Sequence, residues 1–283
     1  MALIPPFSFN CVVAIGTRDS GTYPRWVGTG TLIGRFFKKR ADNQRQYHIF
    51  IVTNKHVVEG QKSIVARFNP LATQKAKDYD IPLVDRSGKT LWREHPSEAL
   101  DIAVIGINAD FLAEENVRYD FFQSDNHLMP IAEMSALGVS EGDFVYVLGF
   151  PMGIVDPDRQ YVIARSGIIA RLRDALEGHK KDFLIDAFIF PGNSGGPVLY
   201  KPEIVSLEGT KSVVKPGLIG IVSGYLTYKD TAVSQQTGHP RVVFEENSGL
   251  AAAVPVDFVM EAIEACFASL NIKERDSIRP ANS

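Results

Sequence analysis

Short runs of apolar, β-branched and aromatic residues, bounded by Gly, Pro, Asp and Asn, recur along the 283-residue chain, the pattern of antiparallel β structure. In the first half they cover Phe9–Ile15, Val27–Ile33, Tyr47–Thr53, Ser63–Phe68 and Ile102–Ile107. In the second half they cover Phe144–Gly149, Gln160–Arg165, Phe183–Ile185, Pro197–Tyr200 and Leu218–Ser223. The turn Ser140-Glu141-Gly142-Asp143 opens the second set. Two groups of about six strands, joined by a connection over residues 109–140, predict an all-β fold of two packed six-stranded antiparallel barrels. The period changes near the C-terminus. Phe258, Val259, Ala262, Ile263, Cys266, Phe267 and Leu270 recur at helical spacing, and Asp257 stands where an acid favours the positive end of the helix dipole. One amphipathic helix over residues 255–270 is expected to pack back on the second barrel. The reading is a single domain over 1–272, with the first barrel at 8–110, the second at 140–250, and a flexible tail at 273–283. The polar stretches Leu71–Glu98 and Tyr225–Ser248 read as long loops.

Composition adds bounds. Hydrophobic residues at 45% and charged ones at 22% are enough for a sizeable core. A formal net charge of −3 gives no reason to expect nucleic acid or an anionic membrane as the main partner. The local basic run Phe36-Phe37-Lys38-Lys39-Arg40 reads as a solvated hairpin tip. The two cysteines, Cys11 and Cys266, read as buried free thiols. No Lys or Arg precedes Arg18, Pro5-Pro6 interrupt any early apolar helix, and no apolar run approaches the ~18–20 residues of a membrane span. The expectation is a cytoplasmic protein without a membrane partner. No His or Cys pairs stand at ligand spacing, so no metal or other cofactor is expected. Gly209-Thr210-Lys211-Ser212 lacks the upstream glycine of a phosphate loop.

Three segments carry candidate chemistry. Pro191-Gly192-Asn193-Ser194-Gly195-Gly196-Pro197 places a hydroxyl on a glycine-rich turn, as acyl transfer by a serine requires. Gly192 can adopt backbone angles that aim its N–H and that of Ser194 at one point, where an oxyanion would develop. An ordinary β-turn would look the same in isolation. The apolar run Ile49–Thr53 then ends in a polar turn bearing His56, rigid yet able to face a cleft, as a general base should be. The other histidines, His48, His95, His127, His179 and His239, sit among polar or loop residues and carry no expected chemistry. Finally, Asp101 immediately precedes the apolar Ile102–Ile105, so its carboxylate would be partly buried and in need of a partner. A histidine N–H is such a partner, and it fixes the tautomer that leaves the other nitrogen free for a serine proton.

These segments, in the order His, Asp, Ser, resemble the trypsin-like serine peptidases, and within them the bacterial HtrA/Deg type. The resemblance is carried by Thr53-Asn54-Lys55-His56-Val57-Val58, Asp101-Ile102-Ala103-Val104, Asp186-Ala187-Phe188-Ile189 and Gly192-Asn193-Ser194-Gly195-Gly196-Pro197. Gly28-Thr29-Gly30-Thr31-Leu32-Ile33, Gly149-Phe150-Pro151 and Gly220-Ile221-Val222-Ser223-Gly224 extend it over most of the chain. It implies a serine endopeptidase with the site between two barrels: Ser194 as nucleophile, His56 as base then acid, Asp101 as orienting carboxylate. The Gly192-Asn193-Ser194 turn would form the oxyanion hole. Ser223 and Gly224 match the segment whose backbone pairs with extended substrate, the Ser223 hydroxyl lying close to the Asp. Phe188, six residues before the serine, matches the base of the specificity pocket. With a ring there and no carboxylate, a Lys or Arg would be buried unpaired, so small or medium apolar side chains are expected before the cut. Asn193 stands where digestive trypsins carry an Asp that pairs with a new N-terminus, which argues against activation by N-terminal cleavage. The C-terminal peptide-binding (PDZ) domain usual in the HtrA type has no counterpart in the sequence given. The expected partner is a protein or peptide substrate. Three alternatives stay open: a non-catalytic scaffold, a hydrolase of esters, and a latent site whose loops near Leu176–Lys181 and Leu226–Gly238 need an activating partner or a homo-oligomer to order them.

Overall fold

The structure, a computed structural model, describes residues 3–18, 23–71, 75–203, 213 and 215–278. The first half holds β1 (Val12–Thr17), β2 (Arg25–Lys39), β3 (Arg45–Thr53), β4 (Ser63–Pro70), β5 (Lys77–Pro82), β6 (Trp92–Glu94), β7 (Ala103–Gly106), β8 (Val117–Arg118) and β9 (Phe122–Gln123). The second half holds β10 (Phe144–Gly149), β11 (Ile163–Arg171), β12 (Phe183–Asp186), β13 (Pro197–Tyr200), β14 (Gly217–Val233) and β15 (Pro240–Pro255). Helices are short except one: α1 (Phe7–Asn10), α2 (Lys55–Val58), α3 (Ala109–Glu114), α4 (Ile131–Leu137), α5 (Arg173–Leu176), α6 (Val256–Ser269) and α7 (Ile272–Ser277).

The second half closes into a six-stranded barrel in the order β10-β11-β12-β15-β14-β13. The first half does not close. It forms a nine-stranded sheet along β5-β4-β1-β2-β3-β7-β6, with β8 beside β4 and β9 beside β2, so the expected first barrel is a half-barrel. Each lobe fills its own interior. Ile15, Leu32, Ile51 and Ile64 are fully buried in the first, and Val145, Val147, Ile169 and Ile185 in the second. A third cluster joins the lobes, with Phe50, Ile102 and Val104 of the first meeting Leu148, Phe150 and Ile221 of the second. The candidate residues border this seam, where Thr29 N of the first lobe meets the Ser194 carbonyl of the second.

The C-terminal helix α6 straddles the seam instead of packing on the second barrel alone. Its face of Val259, Ala262, Ile263 and Cys266 is buried with Phe50 and Val104 on one side and Leu218 and Val254 on the other. Polar pins fix its angle: Arg35 grips Glu264 at 2.7 and 2.8 Å, His95 meets Glu261 at 3.1 Å, and Asp257 accepts from the Ile131 N–H at 2.9 Å. His95, read from sequence as a bystander, is buried structural polarity.

Three further expectations change. Tyr225–Ser248 is no loop: β14 and β15 run on as a long, mostly exposed two-stranded hairpin. Leu71–Glu98 contains β5 and β6. Residues 273–278 of the expected tail are held, because Asn271 and Glu274 form a capping box at 3.0 and 2.7 Å and the Ile278 carbonyl takes the Ile49 N–H at 2.8 Å. Residues 279–283 and the Gly209–Ser212 stretch lie outside the described residues. The basic run is, as read, the end of the β2–β3 hairpin, with Lys39 opposite Arg45. Cys11 and Cys266 are free and buried, and burial pushes both thiols up, Cys266 to about 11. Among the described residues, no helix is long and apolar enough to cross a membrane.

Candidate active site

The sequence at the end of β3 fixes where His56 sits. Thr53 and Asn54 are fully buried, and Asn54 holds extended backbone angles before the single turn of α2. Val57 and Val58 of that turn plug into the first lobe's core, which leaves the His56 ring at the cleft, half exposed. Gly28 makes room for the turn: a Cβ there would lie 2.7 Å from a Val57 methyl.

Asp101 arrives from the segment before β7, held by the buried Leu100 and Ile102 on either side. Its two carboxylate oxygens both face His56. Oδ2 stands 2.5 Å from the ring Nδ1, and Oδ1 accepts the His56 backbone N–H at 3.0 Å. The Asn54 side-chain amide reaches across and donates to the Asp101 backbone carbonyl at 2.6 Å. Burial by itself raises the Asp101 carboxyl, but the hydrogen bonds from the His56 ring and backbone outweigh it and hold the carboxyl below its usual range. A carboxylate on Nδ1 fixes the ring so that Nε2 is the nitrogen left for a substrate-side proton.

Ser194 lies on the turn between β12 and β13, and that turn is clamped from three directions. The Ser194 carbonyl accepts from Thr29 N at 2.9 Å, Gly195 N donates to the Val222 carbonyl at 2.9 Å, and Asn193 N donates to the Phe190 carbonyl at 3.0 Å. Gly192 has φ +99° and Gly195 φ +84°, angles that disfavour other residues. Space is as strict: a Cβ on Gly195 would meet the Thr29 carbonyl at 2.2 Å, and one on Gly192 the Phe150 carbonyl at 2.2 Å. The Pro191 carbonyl is engaged by Met152 N at 2.6 Å. No peptide bond described is cis, so the Gly192 N–H points opposite to that carbonyl. Among the described residues, neither the Gly192 N–H nor the Ser194 N–H is spent on a protein acceptor. The Ser194 hydroxyl likewise makes no hydrogen bond there, to His56 or to any other group.

Beside the turn, Phe188 is 56% exposed and stacks on Phe190, with ring centroids 6.5 Å apart and planes at 22°. Arg165 lies over the other ring at 5.3 Å. The Phe188 ring tip comes within 4.0 Å of where a Cβ on Gly249 would stand. On β14, the Ser223 hydroxyl donates to the Ala252 carbonyl at 3.1 Å. Gly224 faces open space, with nothing within 4 Å of a Cβ built on it. Strand β13 pairs with β14 only as far as Ile221, so the backbone at 223–224 has no β13 partner. Among the described residues no cluster of His, Cys, Asp or Glu suits a metal ion.

A family model for the trypsin-like peptidase domain matches residues 28–202, a span that includes His56, Asp101 and Ser194. The chain belongs to the trypsin-like peptidase family. No curated protein matches it. Among solved structures, this peptidase domain is similar to Rv3671c from M. tuberculosis H37Rv in an inactive serine-to-alanine form, at 14% identity over 93% of this chain and 90% of that one, with a TM-score of 0.44. It is also similar to neuropsin, a serine protease expressed in the limbic system of mouse brain, at 12% identity over 93% and 96%, TM-score 0.47. A third is the scabies mite inactivated protease paralogue S-I1, at 14% identity over 92% and 96%, TM-score 0.46.

In the peptidase domain His56 and Asp101 meet directly, and the Ser194 turn is joined to their lobe through the Thr29 N–H. What the sequence reading passed over is the supporting layer. Thr29, Thr31, Thr53 and Asn54 are all fully buried and all spend their side chains on backbone carbonyls of the site. Thr31 reaches Gly195 at 2.7 Å, Thr53 reaches Thr29 at 2.8 Å and Thr29 reaches Gly192 at 2.6 Å. The signal was present as hydroxyls inside otherwise apolar strands, where a polar group needs a partner.

Proposed function

We propose that the chain is a serine endopeptidase working through a covalent acyl-enzyme. Ser194 Oγ attacks the scissile carbonyl, His56 Nε2 takes its proton and returns it to the leaving amine, and Asp101 holds the ring and stabilises its charged form. The Gly192 and Ser194 N–H groups, with Asn193 between them shaping the turn, receive the developing oxyanion. The observation that carries this reading is the double grip of Asp101 on His56, at 2.5 Å to the ring and 3.0 Å to the backbone, beside a glycine turn whose two N–H groups are unspent. Family membership supports the serine protease class. The substrate lies as an added strand along the backbone of Ser223 and Gly224, with its side chain before the cut toward Phe188. That ring favours small or medium apolar residues there over Lys or Arg. The likeness of the quoted motifs to the HtrA/Deg type belongs to the same proposal.

The test is turnover of a quenched peptide library by wild type and Ser194→Ala. Cleavage that needs Ser194 and falls after small or medium apolar residues supports the reading, and a profile dominated by Lys or Arg removes the pocket assignment. One observation favours a second reading. The Ser194 hydroxyl makes no hydrogen bond to the imidazole, as expected of a latent site that an activating partner or oligomer completes. Contacts of this kind are often long in unliganded sites and tighten with substrate, so the active reading is preferred. Activity that appears only above a threshold protein concentration, or only with a partner, would favour latency.

A further inference from the structure

The turn at Gly192–Ser194 is tied to the opposite lobe through Thr29, whose hydroxyl and backbone N–H both bond to it. We infer that Thr29, on β2 of the opposite lobe, is the positioning residue that holds the oxyanion turn in its receptive orientation here. The inference rests on the peptidase reading above. Gly192 joins two peptide units, and both must be fixed for its N–H to face the substrate. The first unit is held by Met152 N, which donates to the Pro191 carbonyl at 2.6 Å. Met152 adopts φ 58° and ψ 19° to make this bond, left-handed angles uncommon for a non-glycine residue. The second unit is held at both ends: Asn193 N donates to the Phe190 carbonyl at 3.0 Å, and the Thr29 hydroxyl donates to the Gly192 carbonyl at 2.6 Å.

The Thr29 hydroxyl is fully committed. It is 0% exposed, gives its one proton to Gly192, and accepts the Phe150 N–H at 3.2 Å. Its own backbone N–H takes the Ser194 carbonyl at 2.9 Å. One residue therefore grips the turn on both sides of Asn193, and its hydroxyl ties it to Phe150, two residues before Met152. By contrast, among the described residues the Asn193 side chain binds only within the turn, through Phe190 N to its Oδ1 at 3.2 Å, and its Nδ2 is buried without a partner there. Among the described residues it anchors nothing outside the turn, and Thr29 does. Removing the hydroxyl leaves the Gly192 carbonyl buried and unpaired, which favours rotation of the turn toward any available donor.

The experiment compares Thr29→Val, which keeps the shape and loses the hydroxyl, with Thr29→Ser, which keeps the hydroxyl. Both are measured for kcat and KM on a cleaved peptide, for fluorophosphonate labelling rate, and by crystal structure. The expected result for T29V is a fall of about 10²–10³-fold in kcat and labelling rate, the range for losing one oxyanion donor. KM should stay within about threefold, and T29S should stay within about tenfold of wild type. In the T29V crystal the Pro191–Asn193 turn should be rotated. A T29V enzyme that labels at the wild-type rate, or a T29S enzyme as impaired as T29V, overturns the inference. So does a T29V crystal with the turn unchanged. A wild type that neither cleaves nor labels faults the peptidase reading, and the T29V crystal then decides the clamp by itself.

Discussion

At the scale of single residues, the proposed chemistry depends on which partner each side chain keeps. His56→Ala or Ser194→Ala removes a member of the reacting pair, and either change is expected to lower kcat by about 10⁶-fold, with little further loss in the double variant. Asp101→Asn leaves the shape but favours the wrong imidazole tautomer, for an expected loss of about 10⁴-fold in kcat. The same carboxylate predicts an acid response. Its folded pKa lies below the ordinary carboxylate value, so its contribution to stability is complete above about pH 4 and is lost as pH falls through the lower folded value. Denaturant titrations between pH 6 and pH 3 should show wild type losing more stability on acidification than D101N; equal slopes would mean that the His56 contacts do not hold the carboxylate. His56 and Asp101, which the structure pairs, stood out as candidates at the ends of apolar runs, and Ser194 stood out on a glycine-rich turn. Thr29 and Asn54 did not, since a threonine or asparagine near a strand end has many uses, and only the fold shows which carbonyl it meets.

At the scale of elements, β10 and β13 were read to the residue, whereas the strand expected at Gln160–Arg165 is β11 at Ile163–Arg171, because the partly exposed positions of its second half hide the strand pattern. The outer half of the β14–β15 hairpin was missed for a physical reason. Thr227, Lys229, Asp230, Thr231, Glu245 and Glu246 pair across it with little burial, so no clean alternation of apolar and polar positions marks it as strand. Because it buries little, replacing Tyr228–Glu246 with an Asn-Gly turn should change unfolding free energy by less than about 1 kcal/mol. A larger loss would show that the hairpin supports the barrel. The tail misled in the other direction. Charge and a following Pro suggested fraying, whereas the capping box of Asn271 and Glu274 nucleates α7. Asn271→Ala should cost about 1 kcal/mol in chemical denaturation, and no change would mean that α7 contributes nothing to stability.

At the scale of the molecule, the two-lobed plan and the C-terminal helix were visible in the run of strands and the single change of period. Closure was not. Whether a sheet closes depends on strand tilt and on which edges meet, and neither is written in local pattern, so the half-barrel emerged only from the structure. The same holds for α6 bridging the lobes. Joining the lobes matters because the proposed base and its orienting carboxylate come from one and the nucleophile from the other. Gln160 is one rivet of the seam: its amide donates to the Val12 carbonyl at 2.6 Å and accepts from Ala14 N at 3.4 Å, both on β1. Gln160→Leu strands two buried backbone groups, and about 1–3 kcal/mol of stability should go with them.

The most direct test of a formed site is labelling of the purified chain with a fluorophosphonate probe, beside Ser194→Ala and His56→Ala. The probe needs a nucleophilic serine, a base and an oxyanion hole at once. Labelling of wild type that disappears in both variants is the predicted result. A folded wild type that stays unlabelled, or labelling that persists in Ser194→Ala, would contradict the account.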